Sequence, residues 1–177
     1  MAAFYAEGPM IQPVLASGFF QVGWVVRDIV AAETFFLRTI GVERFLHIEN
    51  MRARDVEGTY KGKPGDWVCH IYLGYAGETQ IELVQHVSGT SIHKDFLDDR
   101  GDGIQHVAYV IDDAQYDAAA TRFESAGDGL LQSAKTRIGR FGYFDTRHRI
   151  GIATELVALN DAGRELFRKL KENGSTS

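Results

Sequence analysis

Four polar residues, Gln21, Glu82, His106 and Glu155, each interrupt an apolar, strand-like run, and their positions repeat within the chain. Gln21 corresponds to His106 by the same offset that carries Asp28 onto Asp113, and Gln80-Ile-Glu-Leu-Val corresponds to Ala153-Thr-Glu-Leu-Val, which sets Glu82 on Glu155. A carboxylate in the middle of such a run is costly to bury unless it is paired or ligates a cation, and here that happens at two matched places. Taken singly, any of the four could point to solvent, because an antiparallel sheet often has one wet face. Taken together, they suit one divalent metal held by an imidazole and three oxygen donors, with positions left open for water and substrate.

The elements that would position them are duplicated. Phe20 to Gly41 and Gln105 to Gly127 each begin with alternating aromatic and β-branched residues, end that strand at an aspartate, and change to a helical period. Asp28 and Asp113 are the expected N-caps; Ile29, Ala32, Phe36 and Ile40 form one helical stripe, and Tyr116, Ala119, Ala120 and Phe123 the other. Gly41 and Gly127 suit helix C-termini. Three further strand-like segments follow in each copy, roughly 42–50, 66–76 and 79–87, then 130–138, 142–146 and 151–159. The expected fold is α+β: two tandem βαβββ modules whose curved mixed sheet encloses a metal-centred trough. The boundaries are an N-terminal extension at 1–17, a first module at 18–90, a linker and second module at 91–160, and a C-terminal amphipathic helix and tail at 161–177. Residues 51–65, polar and glycine-rich, have no counterpart in the second copy and read as an inserted loop over one end of the sheet, able to act as a lid.

Composition narrows the partners. In 177 residues, 19 Lys and Arg against 24 Asp and Glu leave a net charge of −5, a poor footprint for nucleic acid. The start of the chain has no basic segment before an apolar run, and no apolar run is long enough to span a bilayer, so no membrane partner is expected. A single cysteine, Cys69, permits neither an internal disulfide nor a cysteine zinc site, and the expected location is cytoplasmic.

Gln21-Val-Gly-Trp-Val-Val-Arg-Asp, Ile81-Glu-Leu-Val, Gly103-Ile-Gln-His-Val-Ala and Phe144-Asp-Thr-Arg-His-Arg-Ile-Gly-Ile-Ala-Thr-Glu-Leu resemble the vicinal oxygen chelate superfamily over about residues 18 to 160. That superfamily includes glyoxalase I, methylmalonyl-CoA epimerase, extradiol dioxygenases and bleomycin-resistance proteins. Ser91-Ile-His-Lys-Asp-Phe-Leu followed by Gly101-Asp-Gly-Ile-Gln-His is most similar to methylmalonyl-CoA epimerase, whereas the set Gln21, Glu82, His106 and Glu155 resembles the ligands of glyoxalase I. Where the epimerase has histidine this chain has Gln21, and Lys63 lies near the place of the epimerase's additional acid/base glutamate.

The resemblance implies an isomerase, epimerase or lyase that abstracts a proton beside a carbonyl, on a small carbonyl or thioester substrate. It implies one divalent ion (Zn, Ni, Co, Mn or Mg) on Gln21, Glu82, His106 and Glu155. Glu155 is the expected base and Glu82 its catalytic counterpart on the opposite side, and the expected assembly is a homodimer. A non-catalytic binding protein of the bleomycin-resistance type is the rival from another class. A dioxygenase fits least, because Gln21 removes a histidine from the iron set. Further candidates are His70, which alternates with Tyr72 and could face the trough, His47, and Glu57 in the inserted loop. The basic stretch Arg137, Arg140, Arg147, His148 and Arg149 is expected to be solvated, and His86 and His93 flank the linker in structural or exposed positions.

Overall fold

The computed structural model describes residues 15–172. The segment 1–14 of the N-terminal extension and the tail 173–177 lie outside it. Period-2 patterning becomes strand β1 (Phe19–Val25), where Gln21, Gly23 and Val25 are buried and Phe20, Val22 and Trp24 half-buried. Asp28 caps α1 (Ile29–Phe35) by accepting a hydrogen bond from the Ala31 amide. The last turn, Phe36–Ile40, widens to a π-helix before Gly41 takes a left-handed conformation at φ 88°. That wider turn rotates Ile40 off the expected stripe, so Phe36 is buried and Ile40 is half exposed.

The first module continues through β2 (Phe45–Arg52), β3 (Thr59–Tyr60), β4 (Lys63–Pro64), β5 (Val68–Ala76) and β6 (Thr79–Ser88). The expected linker is in part a helix, α2 (Ile92–Arg100), whose first turn is capped by Ser91 accepting from the Lys94 amide. The second module is β7 (Gly103–Ile111), α3 (Asp113–Ser125), β8 (Leu130–Thr136), β9 (Gly139–Phe144), the short turn α4 (Arg147–Ile150) and β10 (Ala153–Leu159). Asp113 is not the cap of α3. Asp112 holds that place, and the Asp113 carboxylate is taken by Arg140 at 2.7 Å, which draws the helix start one residue forward.

All ten strands form one curled mixed sheet, ordered β2-β5-β6-β1-β7-β10-β9-β8-β3-β4. At its centre β1 and β7 run antiparallel, with Gly23 opposite His106 and Gln21 opposite Ala108. On their outer sides β6 lies parallel to β1, with Glu82 beside Gly23, and β10 lies parallel to β7, with Glu155 beside Ala108. The pairing is therefore the same read from either module, as a local two-fold between the halves requires. Every residue of β10 is buried, because Glu155 and Val157 face the concave side while Leu156 and Ala158 pack with Tyr116, Ala119 and Phe144 under α3.

The 51–65 insertion is more than a loop. After β2 and the turn Ala53–Asp55 it crosses to the other end of the sheet, where β3 pairs with β8 (Thr59 with Ser133, Tyr60 with Gln132), and Tyr60 donates to Asp95 on α2 at 2.6 Å. It thereby straps the two sheet edges together. Trp67, almost fully buried, is clasped under this strap between Gly58 and Gly65, where an added Cβ would come within 2.5 and 2.6 Å of the indole. The C-terminal helix α5 (Asp161–Glu172) folds back on β5 and β10, with Phe167 buried against Phe20 at 6.1 Å between rings. No helix among the described residues is long and apolar enough to cross a membrane.

Candidate metal centre

Pleating of the four central strands brings the polar residues to the concave side of the seam. Gln21 is 3% exposed, Glu82 6%, His106 0% and Glu155 2%. Ligand atoms of Glu82, His106 and Glu155 lie within 4.8 Å of one another. Glu82 Oε2 and Glu155 Oε2 approach His106 Nε2 at 2.9 and 3.6 Å without making a hydrogen bond.

Among the described residues, the buried side-chain atoms left without any hydrogen-bond partner are Gln21 Oε1, Glu82 Oε2, His106 Nε2 and Glu155 Oε2. Each of the four residues thus presents one orphaned electron-pair donor, where buried polar atoms are otherwise almost always satisfied.

The orientation of these atoms is set by neighbours. Gln21 Nε2 donates to Gln80 Oε1 at 2.8 Å, and Gln80 Nε2 donates to the Tyr75 hydroxyl, so the Gln21 amide is locked with its oxygen free. On the other module, Gln105 Nε2 donates to the Ile92 carbonyl, and Gln105 Oε1 faces the Nδ1 atoms of both His106 (3.0 Å) and His93 (3.1 Å). An acceptor there requires each Nδ1 to carry the proton, so in the neutral ring the lone pair of His106 is on Nε2. Gln105 is a residue that sequence reasoning missed; its place next to His106 was visible, but its contact with both rings arises only when α2 packs on β7. Substituting Gln105→Leu is expected to weaken divalent-ion binding by about 10- to 100-fold, read by isothermal titration calorimetry.

Two buried carboxylates at this separation repel unless a cation lies between them. Burial and the adjacent Glu82 hold the Glu155 carboxyl well above the usual carboxylate range. A carboxyl whose folded value is raised binds more protons in the native than in the unfolded state, so its contribution to stability is full below the unfolded value of about 4.3 and is lost as pH rises towards the folded value. Chelator-treated protein is therefore expected to lose thermal stability as pH rises from about 4.5 to 8, and added divalent ion to reverse the loss; melting curves across that range check it. Tyr143, opposite Glu155 on β9 and edge-on to His106 at 5.1 Å, is kept protonated by burial and by the Glu155 and Glu82 carboxylates. Its hydroxyl is a donor beside Glu155.

Beyond the cluster lies a cavity of about 80 Å³, walled by strands of both modules, by Trp67 beneath the strap and by Phe167 from α5. His93 lines it and is buried, not exposed; burial above all, and then His106, push it down to about 3, so it is neutral. Cys69 also lines it, with its thiol pushed up to about 12 by burial, which leaves it neither ligand nor nucleophile at neutral pH.

The structure does not bring the other candidates to the site. Cys69, Ile71 and Leu73 occupy the concave side of β5, so the alternation turns His70 and Tyr72 to the opposite face, where His70 Nδ1 accepts from the Asn50 amide. His47 stacks on Tyr72 and pairs with Glu33 at 2.6 Å. Glu57 and Lys63 are exposed on the strap. Arg140, Arg147 and Arg149 are engaged with Asp113 and Asp117, with Asp145, and with Asp128.

A curled sheet made of two like modules, with a buried imidazole and two buried carboxylates gathered at the seam, defines the vicinal oxygen chelate class of folds. Residues 20–144 match the Glyoxalase/Bleomycin resistance protein/Dioxygenase superfamily, and the chain belongs to it. Its structure is similar to that of methylmalonyl-CoA epimerase from Mycobacterium tuberculosis, with a TM-score of 0.62 and 22% identity over 88% of this chain and 97% of that one. A hypothetical protein from Bacillus halodurans gives 0.61 and 18% over 81% and 94%. A Streptomyces coelicolor methylmalonyl-CoA epimerase variant in complex with 2-nitronate-propionyl-CoA gives 0.58 and 19% over 81% and 95%. At these identities the likeness is one of fold. No curated protein matches the sequence.

Proposed function

We propose that this protein is a metal-dependent isomerase or epimerase in which Gln21, Glu82, His106 and Glu155 hold one divalent cation. The observation that carries the reading is the set of four orphaned, buried donor atoms, one from each of these residues. An imidazole nitrogen, an amide oxygen and two carboxylates suit zinc, nickel, cobalt, manganese or magnesium, and a divalent charge neutralises the two carboxylates that otherwise repel. When bound, the cation supplies Lewis-acid stabilisation of the negative charge that develops on a substrate carbonyl oxygen.

The protein's own groups move the proton. Glu155 takes it from the carbon beside the carbonyl: the C–H bond breaks, its electron pair passes into the enolate, and the proton comes to rest on the carboxylate. The Tyr143 hydroxyl steadies Glu155 during that exchange. Glu155 handing that same proton to the next carbon gives isomerisation; for epimerisation Glu82, across the cluster, delivers to the opposite side a proton it has first taken from solvent, while Glu155 gives its own up to solvent. The apolar walls of the cavity limit the access of bulk water to the enolate. A protein that only sequestered a ligand would gain nothing from two buried, mutually repelling carboxylates, which weighs against the binding-protein reading.

The test is solvent deuterium incorporation, with metal-loaded and chelated protein, over a panel of 2-oxo acids, hemithioacetals, acyl-CoA thioesters and neutral ketones. Exchange at a carbon next to the carbonyl that disappears on chelation is the expected result. Loaded protein that exchanges nothing, or exchange that survives removal of the cation, overturns the proposal.

A further inference from the structure

Resting on that reading of the site, we infer that the substrate is an uncharged, largely apolar carbonyl compound, with no carboxylate or phosphate inside the cavity. The first argument is a charge count. As ligands, Glu82 and Glu155 contribute two negative charges, while Gln21 and a ligating imidazole are neutral, so one divalent ion brings the centre to zero. An anionic substrate group would meet no net attraction from it.

The second argument is the lining. Among the described residues, none of the side chains on the cavity is Lys or Arg, and the walls away from the cluster are apolar, among them Phe20, Ile48, Met51, Ile71, Phe141 and Val157. The few polar side chains there are already engaged. Ser133 bonds Thr59 at 2.7 Å, Thr136 donates to the Gly139 carbonyl and accepts from the Ile138 amide, and Gln132 accepts from the Ile92 amide and bonds His93. Near the reacting end the Tyr143 hydroxyl lies against Glu155. Lys61, Arg140 and Arg147 are held by carboxylates away from the cavity: Lys61 bonds Asp95, Arg140 bonds Asp113 and Asp117, and Arg147 bonds Asp145. A carboxylate buried among these walls would lose its water and find no partner, whereas a neutral ketone of the same shape loses little.

A matched pair of ligands tests this on the metal-loaded protein. 1-Phenyl-2,3-butanedione and phenylpyruvate share a benzyl ketone and differ at one end, a methyl ketone in the first and a carboxylate in the second. Binding is read by quenching of tryptophan emission, to which Trp67 in the cavity wall contributes, and turnover by deuterium entering the benzylic carbon. The diketone is expected to bind at least 100-fold more tightly and to exchange; propionyl-CoA is expected to do neither. Phenylpyruvate binding as tightly as the diketone, or exchange with propionyl-CoA but not the diketone, overturns the inference while leaving the metal site intact. Failure of the site itself shows separately, as absence of cation binding in calorimetry, and removes the charge count with it.

Discussion

Glu155→Gln is expected to change activity and stability in opposite directions. Removing the proposed proton acceptor should lower the exchange rate by about a thousandfold, the scale of a lost general base, and weaken cation binding as a carboxylate is replaced by an amide. The metal-free variant should nevertheless melt higher than metal-free wild type. The gain is expected at alkaline pH, where Glu155 is driven to ionise beside Glu82: an isosteric amide relieves that repulsion, worth on the order of 1–4 kcal/mol. Thermal melts in chelator, paired with exchange assays in excess divalent ion, measure both. A metal-free variant that melts lower would show that the carboxylates are satisfied without a cation, and the proposed centre would fall.

Gly23→Ala is expected to cost nearly as much through a residue with no chemistry of its own. Gly23 sits opposite His106 across the central β1–β7 pair, and a Cβ added there would fall 2.0 Å from His106 Cε1 and 2.1 Å from Nε2. Those are ring atoms packed with no exposure, and real side-chain carbons do not approach so closely. The imidazole must swing away, breaking its alignment with Glu82 and its bond to Gln105. Loss of measurable divalent-ion binding is the expected readout, together with about 1–3 kcal/mol of destabilisation from overpacking. Gly41→Ala is a useful contrast, since a Cβ there meets nothing within 4 Å and the cost comes from its left-handed backbone alone. If Gly23→Ala binds metal as wild type does, the close fit of glycine to imidazole is irrelevant to the site.

Gly23 also shows where reading the sequence stops. The duplicated alternation made the strands, the pairing of modules and the four polar positions legible, because period-2 burial and matched offsets are properties of the chain itself. In the repeat Gly23 corresponds to Ala108, an ordinary small residue. Its role arises only from cross-strand register, which no local pattern encodes. Gln105 is hidden for the same reason. The strap was legible as an insertion and not as strands, since β3 and β4 are two residues each and largely wet, with too little alternation to register. Helix α2 carries a capping serine at Ser91, but its polar composition masked the helical period. The start of α3 was displaced by one residue because Arg140, distant in sequence, claimed the aspartate that local rules assign to the cap.

The strap also bears on how the protein can be made. Tyr60 belongs to the first half of the chain, yet its backbone partner is Gln132, far along the second. A ribosome releases the strap long before β8 exists to receive it, so the wall over Trp67 can close only near the end of synthesis, and the loop that joins the partners adds an entropic delay. Severing the polypeptide between the two repeats would thus leave an amino-terminal fragment with a dangling arm and an uncovered indole, rather than a miniature of the whole.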